Sequence, residues 1–300
     1  MKLVGLMPAR NEAWCIGLSA RVALLWCDEL VILNHASTDE TVDIVAELQR
    51  EHPSRVHLIS VPVDTWTEME HRQMLLDRAR MAGATHIAIV DADEILTGDL
   101  LSMCEGRAWF MNGQMHTVAM GRGSSILQLP GYNLRSSLTR YHSNGTWGQR
   151  WFSVAFKDSE RLYWFHKGRN VEQFHHREPF GQTLIPYRPI AQGRGGVMHL
   201  WGVTDRHLRA KHRAYRIQET LRWPEKSHEE IERMYSWWRT GMTSSEPQTW
   251  QFADVPESWW SPYSHLMKYL DLERIPWQEA WCDEMIARHG LQRLEGLSVQ

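Results

Sequence analysis

The stretch His86-Ile87-Ala88-Ile89-Val90-Asp91-Ala92-Asp93-Glu94 decides how this chain folds. It begins as a short, mostly apolar run and stops abruptly in carboxylates, so it predicts a strand over 86–90 with its charged end at an edge of the sheet. A strand without polar alternation is buried on both faces, as in a parallel sheet covered by helices. Working outward, Glu68 to Met81 predicts a helix, broken at Gly83, and Val56 to Val61 a strand. Thr41 to Arg50 has Val42, Ile44, Val45 and Leu48 at helical spacing. Leu30 to Leu33 is a strand that ends in Asn34-His35-Ala36-Ser37-Thr38-Asp39. In that cluster Ser37-Thr38-Asp39 supplies an N-cap, and Asp39 and Glu40 suit the positive end of the next helix. Ala13 to Cys27 predicts a helix, and Lys2 to Met7 a first strand ending at Pro8. Alternating strand and helix units of this kind imply a doubly covered, mostly parallel α/β sheet. Ligands bind such sheets at the carboxyl ends of the strands. The polar clusters Pro8 to Glu12, Asn34 to Asp39 and Asp91 to Glu94 all converge there.

Beyond about residue 105 the pattern changes. Gly121, Gly123, Gly131, Gly145 and Gly148 punctuate short aromatic runs such as Trp151-Phe152 and Tyr163-Trp164-Phe165, which predicts antiparallel strands with turns. Asp205 to Leu221 predicts a basic helix stopped by Pro224, and a helical tail follows from Glu229, interrupted by Pro247, Pro256, Pro262 and Pro276. The expected organisation is a domain over 1–222, with a nucleotide-binding half at 1–105 and an acceptor half at 106–222, then a Trp-rich helical extension over 223–300.

Hydrophobic residues at 43% and charged residues at 23% exclude a disordered or membrane-spanning chain. Met1 to Cys15 reaches Pro8, Arg10, Asn11 and Glu12 after only a short apolar stretch, so neither a signal peptide nor a membrane helix is expected and the expected location is cytoplasmic. Cys15, Cys27, Cys104 and Cys282 form no CxxC pair, which leaves them as small core residues. The net charge of -3 hides a basic middle: residues 121–223 hold about 17 Lys+Arg against about 6 Asp+Glu. Such a segment suits a surface facing a diphosphate or a polyanionic acceptor such as nucleic acid, or a solvated face with local ion pairs.

Two carboxylates at a strand end, Asp91 and Asp93, can hold a hard divalent cation, Mg²⁺ or Mn²⁺, against a diphosphate. The cation would neutralise charge on a departing nucleotide diphosphate. The ordered set Met7-Pro8-Ala9-Arg10-Asn11-Glu12, Val31 to Thr41 and Val90-Asp91-Ala92-Asp93-Glu94 resembles family 2 type glycosyltransferases of the GT-A fold, in the nucleotide-diphospho-sugar transferase superfamily. The likeness covers residues 1 to about 100 and, more loosely, 150–220. It implies a metal-dependent enzyme that moves a sugar from a nucleotide diphosphate donor, a UDP-sugar foremost, to a hydroxyl. It also implies that Pro8, Ala9, Arg10, Asn11 and Glu12 wrap the nucleotide. Asp93 is then the direct metal ligand, and Asp91, with Ala92 between them, the nucleotide-side carboxylate that supports it.

One position departs from the family: Asn34 stands where an aspartate usually reads the base, often uracil. An Asn amide can accept from or donate to a base, or simply hold a turn. Gly195-Gly196-Val197-Met198-His199-Leu200-Trp201, followed by Lys211 and Tyr215, is similar to the stretch where related enzymes return a histidine to the metal, which makes His199 the third ligand candidate. His207 with His212, and His175 with His176, lack ligand spacing. An inverting transfer needs a carboxylate to take the acceptor proton. Glu178, in Phe174-His175-His176-Arg177-Glu178-Pro179, is the first candidate and Glu94 the second. Arg72 faces the diphosphate or forms an ion pair. The 16 tryptophans offer stacking surfaces for sugars and bases, or anchors for irregular helices.

Other classes fit less well. A dinucleotide dehydrogenase wants GxGxxG after the first strand, a nucleotidyltransferase a Gly-rich basic loop there, and a haloacid-type phosphatase its DxD at the first strand. The non-enzyme alternative is an inactive nucleotide-sugar fold that binds glycan or nucleic acid. The acceptor is a saccharide, a protein or a modified nucleic-acid base.

Overall fold

The structure is a computed structural model that describes residues 1–63, 67–103, 125–148, 150–165, 176–235, 242–243, 246–247 and 250–290. Cys104, Gly121, Gly123, His175, Trp237 and Trp238 lie outside them.

The apolar runs form the strands, three of them buried on both faces as a run without alternation requires and the third in sequence, Val56–Val61, half-buried at the end of the sheet. These are β1 (Leu3–Ala9), β2 (Glu29–His35), β3 (Val56–Val61) and β4 (His86–Ile89). They pair in parallel in the order β3-β2-β1-β4. The connecting helices are α1 (Ile16–Trp26), α2 (Thr41–Glu51) and α3 (Glu68–Met81). Leu3 and Met7 join Ile16, Ala20, Val45 and Leu48 on one face, and Val4 and Leu6 join Leu75, Leu76 and Ala79 on the other. Each fully buried Leu or Ile contributes about 1.5–3 kcal/mol. The boundaries of β3 and α3 coincide with those expected, and the others differ by a few residues at their ends.

After β4 the chain forms β5 (Glu94–Leu96), α4 (Gly98–Met103), β6 (Ser125–Arg135), β7 (Arg140–His142), β8 (Arg150–Lys157), β9 (Ile185–Tyr187) and β10 (Val197–Gly202). The antiparallel strands expected in the middle of the chain are present. β8 runs antiparallel to β4, with His86 opposite Lys157 and Ala88 opposite Ala155. Its first residues, Arg150 to Ser153, therefore lie at the carboxyl edge of β4. β6 pairs with β8, with a register shift between Leu127 and Gln128, and places Gln128 opposite Ser153 and Pro130 opposite Trp151. The result is an α/β, mostly parallel sheet flanked by helices, with an antiparallel section beside β4.

The chain divides into two compact units: Met1–Gly131, Arg150–His199 and Pro256–Leu272 in the first, and Tyr132–Gln149, Leu200–Val255 and Glu273–Gln300 in the second. This division differs from the 1–222 and 223–300 split, because tail residues pack with earlier ones in both units. In the first, a 3-10 helix over Ser261–Tyr269 buries Tyr263, whose hydroxyl donates to the Leu96 carbonyl at 2.9 Å. A Cβ on Gly98 would meet Pro262 Cδ at 2.6 Å, so only glycine allows that approach. In the second, helix α5 (Asp205–Arg222) contributes Ala214 and Ile217 to a core with Ile231 of α6 (His228–Tyr235) and Cys282 and Met285 of α7 (Trp277–His289). The tail is not helical throughout, because Phe252–Asp254 pairs as a strand with β7. Cys15, Cys27 and Cys282 are buried free thiols, as expected of small core residues. Among the described residues no helix is long and apolar enough to cross a membrane.

Candidate donor site

The residues singled out in the sequence as the donor site all belong to the first unit. The register brings the strand ends level: Ala9 is opposite Asn34, and Asn34 opposite Ser60. The loops that leave β1 and β2 are tied together by hydrogen bonds from backbone groups that have no sheet partner. Asn11, at φ 54, accepts at Oδ1 from the Thr38 backbone N–H at 2.6 Å, and its own N–H donates to Ser37 Oγ at 2.9 Å. The Glu12 N–H donates to Thr41 Oγ1 at 2.9 Å, and the Ala13 N–H to Asp39 Oδ2 at 3.1 Å. Asp39 also takes the Thr41 N–H at 3.0 Å, so it holds the start of α2 and the β1 loop together. Glu12 accepts from the Trp14 indole at 2.8 Å, while the Cys15 thiol beneath it donates to the Ala92 carbonyl at 3.3 Å. Pro8 to Glu12 is thereby fixed against both the second strand end and the Asp91-Ala92-Asp93 turn. Asn34 accepts at Oδ1 from the Ser37 N–H at 3.2 Å, which is the turn-holding role open to it. Among the described residues its amide N–H groups carry no hydrogen bond, which leaves them able to donate to a base.

Asp91 does not stand free at the edge. Arg72 of α3 reaches Oδ1 at 3.1 Å, and Arg177 reaches Oδ2 at 2.9 Å. Arg72 is buried and also donates to Glu68 at 2.7 Å. Burial alone would lower its pKa, but Asp91 and Glu68 outweigh that and raise it above the ordinary arginine value. Arg177 grips Glu94 through two bonds, Nη1 to Oε1 at 2.7 Å and Nη2 to Oε2 at 2.6 Å. It also donates from Nε to the Ser153 carbonyl at 2.7 Å and lies 5.2 Å from the centroid of the Phe152 ring. Glu94 is only 5% exposed, and burial pushes its pKa up against the pull of Arg177. The result is an arrangement of alternating charge in which Arg72 and Glu94 are buried and Arg177 and Asp91 partly so. Two guanidiniums hold apart two carboxylates that would otherwise repel, and they fix where the strand end points.

Asp93 faces a different partner. β5 and β10 pair so that His199 is opposite Glu94, and His199 Nε2 comes within 3.4 Å of Asp93 Oδ2. The approach of β10 is set by Thr97, whose N–H donates to the Gly196 carbonyl at 2.9 Å while its Oγ1 accepts from the Gly196 N–H at 3.0 Å. Gly195 has φ +94, and a Cβ there would meet Asp99 Oδ1 at 2.8 Å. His199 packs edge-on to Phe152. At 3.4 Å the pair is looser than a good hydrogen bond, and both side chains keep some exposure, 12% and 20%. A carboxylate and an imidazole that converge at this distance fit Mn²⁺, which accepts both donor types, and Mg²⁺ with less of its ligand set from protein. Asp91 fits less well as a direct ligand, since both its oxygens hold arginines. Among the described residues no three His, Cys, Asp or Glu side chains converge on one metal position.

Glu178 lies at the same carboxyl edge, beside the first residues of β8. Its Oε1 accepts from Ser153 Oγ at 2.5 Å and from Gln128 Nε2 at 3.2 Å, and among the described residues Oε2 takes no hydrogen bond. Glu94, with both oxygens on Arg177, is suited to hold that arginine rather than to accept a proton. Lys211 and Tyr215 belong to the second unit, whose Trp147 and Trp201 stack at 5.7 Å. Trp164 and Trp259 are buried anchors. Arg177 was not a sequence candidate. The signal for it was the pairing demand of two carboxylates, Asp91 and Glu94, three residues apart at one strand end.

No protein-family model and no curated protein sequence matches the chain. Among solved structures it is similar to TarS from S. aureus, at a TM-score of 0.43 and 11% identity over 98% of this chain and 54% of that one. It is also similar to residues 1–349 of TarS in complex with UDP, at TM-score 0.34 and 16% identity over 44% of this chain and 36% of the other. A third is glucosyl-3-phosphoglycerate synthase from Mycobacterium tuberculosis in complex with Mn²⁺, UDP and phosphoglyceric acid, at TM-score 0.28 and 18% identity, covering 44% and 43%. The chain thus spans about half or less of the length of these structures. Its own strand order places the carboxylates at the end of β4 in an α/β, mostly parallel sheet, with an antiparallel section beside them.

Proposed function

We propose that this chain is a metal-dependent glycosyltransferase that takes a sugar from a nucleotide diphosphate, with a UDP-sugar as the first donor to test. The observation that carries the reading is the convergence of Asp93 and His199 at 3.4 Å, beside the Arg72–Asp91–Arg177–Glu94 arrangement and the tied loops of β1 and β2. Pro8 to Glu12 and Asn34 would line the nucleoside, and Arg72 would keep Asp91 ionised and oriented rather than touch the diphosphate. Asp93 and His199 would hold Mn²⁺ or Mg²⁺, which supplies charge neutralisation for the departing diphosphate.

For an inverting displacement, the acceptor oxygen forms its bond to the sugar C1 as the bond from C1 to the diphosphate oxygen breaks. The acceptor proton passes to Glu178 Oε2. Ser153 and Gln128 hold Oε1, so the second oxygen is presented in one orientation.

The reading is tested by titrating UDP into the full chain with and without Mn²⁺, for the native protein, Asp93→Asn and His199→Ala. Mn²⁺ should tighten UDP binding in the native protein. Asp93→Asn should abolish that gain, and His199→Ala should reduce it by about 10-fold or more. Metal-independent UDP binding, or a gain untouched in both variants, would overturn the metal assignment. A chain that binds UDP with Mn²⁺ but turns over no nucleotide sugar would be the inactive binding module.

A further inference from the structure

The carboxyl edge of the sheet carries an arginine for which the donor site has no use. Arg188 follows β9 and is exposed, yet it is held in place. Its Nε donates to Gln128 Oε1 at 2.8 Å, and its guanidinium lies 4.8 Å over the Trp151 ring. Both partners are neutral. Among the described residues no carboxylate pairs with Arg188 and its Nη groups make no hydrogen bond. Exposed arginines normally keep their rotamer freedom or pair with an acid; ordering one on neutral groups costs entropy and leaves a full positive charge with both Nη groups, four N–H donors, unspent.

The position of that charge gives it meaning. Gln128 is 8% exposed, and the same amide that accepts from Arg188 donates from Nε2 to Glu178 Oε1 and to Ser153 Oγ, each at 3.2 Å. One side chain therefore links Arg188 to the carboxylate assigned as base. Trp151 and Ser153 are two apart on β8, on one face of the strand, so the indole carrying Arg188 and the hydroxyl carrying Glu178 are neighbours.

We propose that Arg188 and Trp151 form an acceptor subsite for an oxyanion, a phosphate or a carboxylate, borne by the molecule whose hydroxyl loses its proton at Glu178. The acceptor class is then an anion that carries at least one hydroxyl. Nη1 and Nη2 present the two-pronged donor set that a tetrahedral or planar oxyanion accepts, and the indole face keeps the fork from folding away. The proposal rests on the reading of Glu178 as base; the anion subsite itself is tested without turnover.

The full chain is saturated with UDP and Mg²⁺, which fills the diphosphate position, and titrated calorimetrically with inorganic phosphate or with acetate. Native protein should bind one of them saturably. Arg188→Gln should weaken that binding at least ~10-fold with unchanged near-UV circular dichroism and unchanged UDP affinity, and Trp151→Leu should weaken it less. Raised salt should weaken binding in the native protein. Tighter phosphate than acetate identifies a phosphorylated acceptor, and the reverse a carboxylated one. No saturable binding of either anion, or equal binding in Arg188→Gln, overturns the subsite. If UDP does not bind, the donor reading has failed, and the same titration without nucleotide, native against Arg188→Gln, still decides the subsite.

Discussion

Replacing Arg177 with methionine removes the cation that Glu94 depends on. Three charge-assisted bonds are lost at once, two to Glu94 at 2.7 and 2.6 Å and one to Asp91 at 2.9 Å, along with the bond to the Ser153 carbonyl. Asp91 keeps Arg72 and has 20% side-chain exposure, so its loss is softened by water. Glu94 has neither relief: its side chain is 5% exposed. Leaving one partner of a buried pair uncompensated costs about 3–5 kcal/mol, and partial rescue of Asp91 places the expected loss near the lower end, about 3 kcal/mol. That is a large share of a typical stability of about 5–15 kcal/mol.

The sign of the pH dependence follows from Glu94. Burial already raises its folded pKa above the ordinary 4.5, and without Arg177 it rises further. A carboxylate with a raised folded pKa contributes most below 4.5 and loses that contribution as pH climbs through the folded value. The deficit of Arg177→Met should therefore be small near pH 5 and grow toward pH 8, read from urea midpoints at both. Arg177→Met with Glu94→Gln should recover part of the loss at pH 8, since the amide needs no counter-charge. A deficit that is the same at both pH values, or no recovery in the double variant, would refute the claim that Arg177 is the counter-charge on which buried Glu94 depends.

Glu178→Gln should lower kcat for sugar transfer by about 10²–10⁴ while leaving donor KM within a few-fold, as expected for loss of a proton acceptor; an unchanged kcat assigns the base elsewhere. Gly181 sits at φ +94, where a Cβ would lie 1.9 Å from the Arg161 carbonyl, so Gly181→Ala should destabilise by about 2 kcal/mol or more in thermal unfolding, and a neutral result would mean the turn is rebuilt. His71 and His142 are lowered to about 4 and His212 to about 3, each chiefly by burial. Histidines with depressed folded pKa values stabilise above 6.5, and that contribution is lost as pH falls toward 4, so unfolding midpoints should drop steeply over this interval. A His71 ring titrating near 6.5 by NMR would contradict its burial.

Much of the first unit could be read directly from residue order, because its signals are local. Apolar runs call for burial, so Leu3–Ala9, Glu29–His35 and His86–Ile89 read as inner strands, with the half-buried Val56–Val61 at the end of the same parallel set, and their carboxyl ends had to share an edge. That is why Pro8 to Glu12, Asn34 and Asp91 to Glu94 were legible as one cluster. Periodicity also located α5, but it could not show that tail residues rejoin the first unit at Pro256–Leu272, since that depends on which distant apolar surface Tyr263 and Trp259 bury.

The partners of the carboxylates within the cluster are visible only in three dimensions. By residue type alone Asp91 and Asp93 are equivalent, and only the family resemblance made Asp93 the direct-ligand candidate; in the structure Arg177, 86 positions after Asp91, and Arg72 occupy Asp91, and His199 approaches Asp93. Partners at such separations come together through strand pairing and cannot be read from spacing. Hydrophobic periodicity determines which segments must be buried and therefore where the polar ends emerge. Which charge neutralises which carboxylate is set by long-range register.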